Sequence, residues 1–486
     1  TSSIMLGDNA TGTIDAANYN TGVGVDVFAA LTSGDNNTAV GFAALDANTT
    51  ASFNVAVGTE ALTANTTGEQ NVAVGHEALE ANTTAEGNVG IGMRALQANT
   101  TGASNTAVGQ QALLNNTTAS NNSAFGKNTL VANTTGSTNV AIGTSALDAN
   151  TTGSNNTAVG GSALGANTTA SNNTAVGQIA LSANTTGANN VAVGMNCLNA
   201  NTTGANNVSV GVSSLGLNTT GTRNVSIGDS ALYNNTVSDN TACGFQALTA
   251  NTTGAQSTAV GKDAGVAITT GSGHTAIGFS ALKAATTIDY GFALGYEAGA
   301  ANTSGTNNTY VGTFCGDSVT TGGDNTYVGY QAGAGTTTGG ANVAIGKGAF
   351  DVNTTGNNNV AIGQNALGAS TGGGDLVAIG TAAGDTLTGG GNSVIIGSLA
   401  DASGANISNE IVIGYNSTGK GANTGFINPN GGAVYQGNNS TTWSQTSDIR
   451  IKKNITDNSD GLNKINNIQV RNFEYRTKDE IKELSP

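Results

Sequence analysis

Apolar and polar positions alternate in short bursts along this chain, and the bursts recur at one fixed distance. The pattern is plainest in Asn54-Val55-Ala56-Val57-Gly58-Thr59-Glu60-Ala61-Leu62-Thr63-Ala64-Asn65-Thr66-Thr67-Gly68-Glu69-Gln70, which restarts at Asn71 after 17 residues. A marker glycine follows each burst: Gly7, Gly24, Gly41, Gly58, Gly75, Gly92, Gly109, and on through Gly143 to Gly228. One unit is a residue short and places the next marker at Gly244, after which the period of 17 resumes from Gly261 to Gly414, 25 markers in all. Chance does not hold phase over four hundred residues. The period signals a repeat architecture in which each unit stacks on the next.

Within a unit, Asn139-Val140-Ala141-Ile142-Gly143 alternates with the period of a strand, Val140 and Ile142 on one side and Ala141 on the other. Thr144-Ser145-Ala146-Leu147 supplies a second apolar pair, and Asn150-Thr151-Thr152-Gly153 reads as a turn. No window has the length and 3.6-residue spacing of a helix. The expectation is an all-β parallel solenoid: a short strand, a bend at the marker glycine, a second short strand, then a polar turn. Coils about 4.8 Å apart would carry the stack over roughly 120 Å. The marker glycine calls for positive φ or close backbone approach, and the sequence leaves both open. Val140, Ile142 and Leu147 are the expected core of their coil. So few large residues per coil repay little of the entropy of ordering it, which points to association about the long axis.

Composition sharpens this picture. Of 486 residues, 72 are Gly, 2 are Pro and 9% are charged, with a net charge of −15. Eight of the 15 basic residues lie in 448–486, so the repeats hold no basic patch for nucleic acid. No apolar run is long enough to span a bilayer, and membrane insertion is not expected. The chain opens inside the repeat pattern, and we expect an attachment region N-terminal to it. Cys197, Cys243 and Cys315 lack metal-ligand spacing and read as small residues in core-like places. The sequence implies no cofactor and no metal.

Several recurring features carry competing readings. Asn-Thr-Thr occurs thirteen times, from Asn48 and Asn65 through Asn150 to Asn353. It is a formal N-glycosylation acceptor, and equally a turn whose Asn bonds nearby backbone. Stacked Asn or Thr ladders would also present a sugar- or ice-binding array. Leu gives way to Gly at Gly265, Gly299, Gly316 and Gly333, while Tyr290, Tyr296, Tyr310, Tyr327 and Tyr330 enter nearby. That change marks either altered packing between subunits or a receptor-contact zone. Single acids such as Glu60 and Glu77 read as solvated coil faces, and no recurring carboxylate pair suggests glycoside hydrolysis.

The register fades after Gly414. Residues 1–418 form the repeat region, 419–446 a connector, and 447–486 a differently composed segment with a short helix expected near 459–466. Ser447 and Lys452 are a nucleophile–base pair only if folding joins them; a surface serine and a solvated lysine is the plain alternative. The run Ser447-Asp448-x-Arg450-x-Lys452-x-Asn454-Ile455, with Phe473-Glu474-Tyr475, resembles the opening of the intramolecular chaperone domain at the C-termini of phage tailspikes, tail fibres and neck appendages, the endosialidase type. The resemblance implies a domain that trimerises its fibre and then cuts itself off. Ser447 would be the nucleophile, Asp448 the residue after the cut, and Lys452 the base. It covers 447–486, the opening of a domain usually much longer.

The repeats themselves resemble the parallel β-roll of trimeric autotransporter adhesin heads, whose coils are usually shorter. No membrane-anchor barrel or heptad stalk accompanies them, which favours a phage fibre. The expected protein is therefore a homotrimeric shaft on a virion, a tail fibre or appendage serving host attachment. Its expected partners are itself, other virion or surface-attachment proteins, and host cell-surface glycans. The alternative is a carbohydrate-binding surface adhesin. No activity on an external substrate is expected, self-cleavage apart.

Overall fold

A computed structural model describes residues 3–7, 16–429, 432–437 and 441–445. Twenty-five strands of three residues, one per coil from Ile4–Leu6 to Ile411–Ile413, form a single parallel sheet running the length of the repeats. Each strand pairs with its equivalent one coil on, as Val55 with Val72 and Val140 with Thr157. The solenoid of 17-residue coils is thus present, and no helix occurs among the described residues. In the shortened coil the strands keep register, Val225 opposite Thr241. The deletion falls in the polar turn, where the Val237 carbonyl accepts the Asn224 amide at 2.8 Å.

Among the described residues the expected second strand is absent. Residues after the marker glycine run through turns, with positive φ at Glu60 (59°) and Leu62 (53°). Left-handed backbone costs a non-glycine residue on the order of 1–2 kcal/mol. Here it turns successive amides along the stack in alternate directions. Glu60 N–H donates back to Phe42 at 2.9 Å, and Leu62 N–H donates forward to Ala78 at 3.0 Å. Axial hydrogen bonding persists without strand geometry.

The assignment of the core must be corrected too. Ala141, Ala146 and Leu147 are fully buried, whereas Val140 is 37% and Ile142 42% exposed. The coil is narrow: the leucine and two asparagines from the facing walls fill it, leaving room only for a small side chain on the inner face of the strand. The larger Val and Ile therefore point out.

Both roles of the marker glycine apply at once. Gly143 has φ of 128°, and a Cβ there would lie 2.6 Å from the Gly160 carbonyl oxygen of the next coil. Where Leu is replaced, Gly316 and Gly333 keep φ of 57° and 63°, and the rings of Tyr310 and Tyr327 occupy the vacated space. Cys197 and Cys315 take the buried alanine place, Cys243 lies half-buried on the outward side, and all three are free thiols. Burial pushes the Cys315 thiol up to about 12.

Within the expected connector the sheet continues. Gly425–Ile427 adds in parallel to the last coil, and Val434–Gln436 and Ser444–Gln445 follow antiparallel. Buried Glu410 ties this end together. Its carboxylate accepts from Ser403 N–H at 2.9 Å and Gly421 N–H at 2.8 Å.

Candidate functional site

The outer face of the sheet is the most extended surface feature of the shaft. Each strand turns two side chains outward, as Val55 and Val57, Thr157 and Val159, or Val343 and Ile345. None of the 25 strands carries Asp, Glu, Lys or Arg. Parallel sheets are ordinarily covered on both faces. This one is covered on its inner face by its own coils, and among the described residues nothing covers the other. Along the shaft the ribbon is a continuous, mainly apolar strip two side chains wide over 25 strands, the kind of exposed surface that marks an interaction site. Its signal was present in the sequence: the position before the marker glycine is apolar in every coil.

The polar turns are built differently from a binding face. In the coil of Gly143, both Asn139 and Asn150 are fully buried. Asn150 Nδ2 donates to the Gly153 carbonyl at 2.9 Å and to Oδ1 of Asn133 one coil away at 2.7 Å. The second column works through the backbone as well, with Asn139 N–H donating to Asn122 Oδ1 at 2.9 Å. The Asn-Thr-Thr asparagines are thus interior struts, which removes them as contact points for sugar. The threonines beside them are more exposed, and Thr151 Oγ1 donates to the Thr168 carbonyl at 3.0 Å.

Of the five tyrosines in this region Tyr290 stands exposed, and the other four separate into two groups. Tyr310 and Tyr327 are core residues, tilted against each other at 6.0 Å. Tyr296 and Tyr330 belong to an outer column in which Phe279 stacks on Tyr296 at 5.1 Å, and Phe314 meets Tyr296 and Tyr330 edge-on at 5.3 and 6.3 Å. Lys262 lies over Phe279 at 5.2 Å and Lys347 over Tyr330 at 6.0 Å. Stacked neighbours and lysines take up ring faces that a sugar would need, so the column acts first as an axial staple between coils.

Glu77 is not simply solvated. It is half-buried and accepts from Arg94 Nε at 2.7 Å and Gln97 Nε2 at 2.8 Å. Glu60 and His76 lie close to it, a grouping of the kind common on surfaces without any ion. Among the described residues no helix is long and apolar enough to cross a membrane.

Ser447, Asp448 and Lys452 lie outside the described residues, as does the helix expected near 459–466. Comparison with known families places them in a context nonetheless. Residues 447–484 match the peptidase S74 family, the chaperone of endosialidase. No curated protein and no solved structure matches the chain significantly.

Proposed function

We propose that this chain is the shaft of a virion-attached fibre, of tail-fibre or tailspike type, and that it acts mechanically by holding a host-attachment element away from the particle. The observation that carries the proposal is the succession of two features on one chain. An unbranched solenoid of 25 stacked strands leads into a segment matching a chaperone family named for endosialidase. The working form is a homotrimer with its three uncharged ribbons turned toward a common axis. Each ribbon runs unbroken through 25 strands, an extent of exposed apolar surface that marks an interaction site. Only a partner with the same axial repeat and length covers such a ribbon from end to end, and a copy of the chain meets that requirement. Other virion proteins would join the ends, and the fibre would reside on the virion.

The carbohydrate-binding alternative loses its most regular candidate surface, because the recurrent asparagines are interior. Light scattering and negative-stain imaging of the full chain test the proposal. The expected result is thin rods with three times the 47.5 kDa mass of one chain. Compact particles reject the shaft. Rods of monomer mass reject the covered ribbon and leave the shaft standing. Placing Asp at both Ile142 and Val159 should loosen the assembly locally without shortening the rods.

A further inference from the structure

His274 interrupts the inner asparagine column and takes over its work. The ring is 1% exposed. Its Nδ1 accepts the Gly291 N–H of the following coil at 3.2 Å, the bond that Asn Oδ1 makes elsewhere in the column. The backbone N–H of His274 donates to Ser257 Oγ of the preceding coil at 3.3 Å, and ring Nε2 has no well-placed partner. A ring accepting at Nδ1 is the neutral tautomer with its proton on Nε2.

The surrounding coils are short of reinforcement. Ser257, His274 and Gly291 stand between Asn240 and Asn308 in one column, and Ile268 and Ala285 stand between Asn251 and Asn302 in the other. Backbone bonds on both sides of the Gly295 coil are long: Thr286 N–H to Thr303 at 3.4 Å from the Gly278 coil, and Phe292 N–H to Asn308 at 3.2 Å on the far side. The charge facing the imidazole is that of Asp289, an exposed carboxylate in the following turn whose Oδ1 accepts Ser272 N–H at 2.8 Å.

We infer that His274 is an acid-sensitive joint of the shaft: a proton taken up at Nδ1 turns the acceptor of the Gly291 amide into a donor, breaks that bond, and loosens the Gly278 coil from the Gly295 coil. The balance is simple, one proton gained from solvent and one hydrogen bond lost. Burial holds the imidazole below its ordinary value, against the opposing pull of Asp289 and the Ile288 and Gly271 carbonyls. A histidine lowered in the folded state is neutral there while the opened state binds a proton. The closed joint is therefore fully stable above about pH 6.5 and weakens as pH falls below it.

Hydrogen exchange on the full chain, corrected for intrinsic rate, tests this. Between pH 7.5 and pH 5, peptides covering 271–295 should lose protection by about tenfold or more, while peptides covering 139–176, with both columns intact and no histidine, keep theirs. His274→Asn restores the residue type of the column and should abolish the acid response while keeping neutral-pH protection. Equal acid loosening in both regions, no loosening at 271–295, or an unchanged acid response in His274→Asn each overturns the inference.

Discussion

Asn82 donates its Nδ2 to Oδ1 of Asn65 at 2.9 Å, with both side chains fully buried between consecutive coils. This amide-to-amide contact recurs along the shaft and gives a sequence motif usually read as a surface acceptor an interior role. A buried amide bonded on both sides is costly to disturb, because each lost partner leaves a desolvated polar atom behind.

N-glycosylation and this fold are consequently exclusive at these sites. Passed through a secretory pathway that attaches N-glycans, the chain should yield rods in which Asn150 is unmodified, with any glycosylated chains outside the rod fraction. Peptide mass spectrometry of purified rods checks this, and a glycan on Asn150 in a folded rod contradicts it. Asn150→Ala should cost about 1–3 kcal/mol in local stability, since Asn133 Oδ1 loses its donor and the Gly153 carbonyl keeps only the one from Asn139.

Two glycines in adjacent coils should respond oppositely to the same change. Gly143→Ala puts a Cβ 2.6 Å from the Gly160 carbonyl at a φ of 128°, and should destabilise its coil by about 3 kcal/mol or more. Gly161 has nothing within 4 Å of its added Cβ, so Gly161→Ala should stay within about 0.5 kcal/mol of the parent. Limited proteolysis of the two variants, read as local opening, separates them.

Alkali should reach the core through the tyrosines. Burial holds the Tyr327 phenol up at about 12 and raises Tyr310 well above its ordinary value. An unfolded tyrosine ionises near pH 10. Stability from these groups is therefore complete below about pH 10 and is lost as pH rises toward 12. Spectroscopic titration should show two phenols lagging behind the exposed ones. Tyr327→Phe, which removes the 3.2 Å hydrogen bond to Thr336, should cost about 1 kcal/mol.

Glu410→Gln should weaken the C-terminal end of the shaft. The carboxylate accepts from Ser403 and Gly421 through different oxygens, and an amide replaces one acceptor with a donor. The orphaned N–H predicts a loss of about 1–3 kcal/mol, confined to 401–427 in hydrogen exchange. A uniform loss over all coils contradicts it.

Much of the architecture is legible in the spacing of Gly58, Gly75 and their successors, because a coil closing at constant length repeats its conformational demands at constant interval. The inner and outer faces of the strand are not. Val140, Ala141 and Ile142 alternate unambiguously, yet alternation has no sign. Hydrophobicity selects the larger pair as core, and that rule fails where the outer face is apolar too. His274 and Glu410 were likewise invisible, since each matters by occupying an asparagine place whose burial the sequence does not announce.

By itself the sequence determined the period, the parallel β-solenoid, the strand in each coil and the resemblance carried by Ser447 to Asn454. Only the tertiary structure decided that alanine, leucine and two asparagines fill the coil while valine and isoleucine line its outside. The physical reason is cross-section: seventeen residues enclose too little volume for β-branched side chains from the strand as well as leucine from the opposite wall.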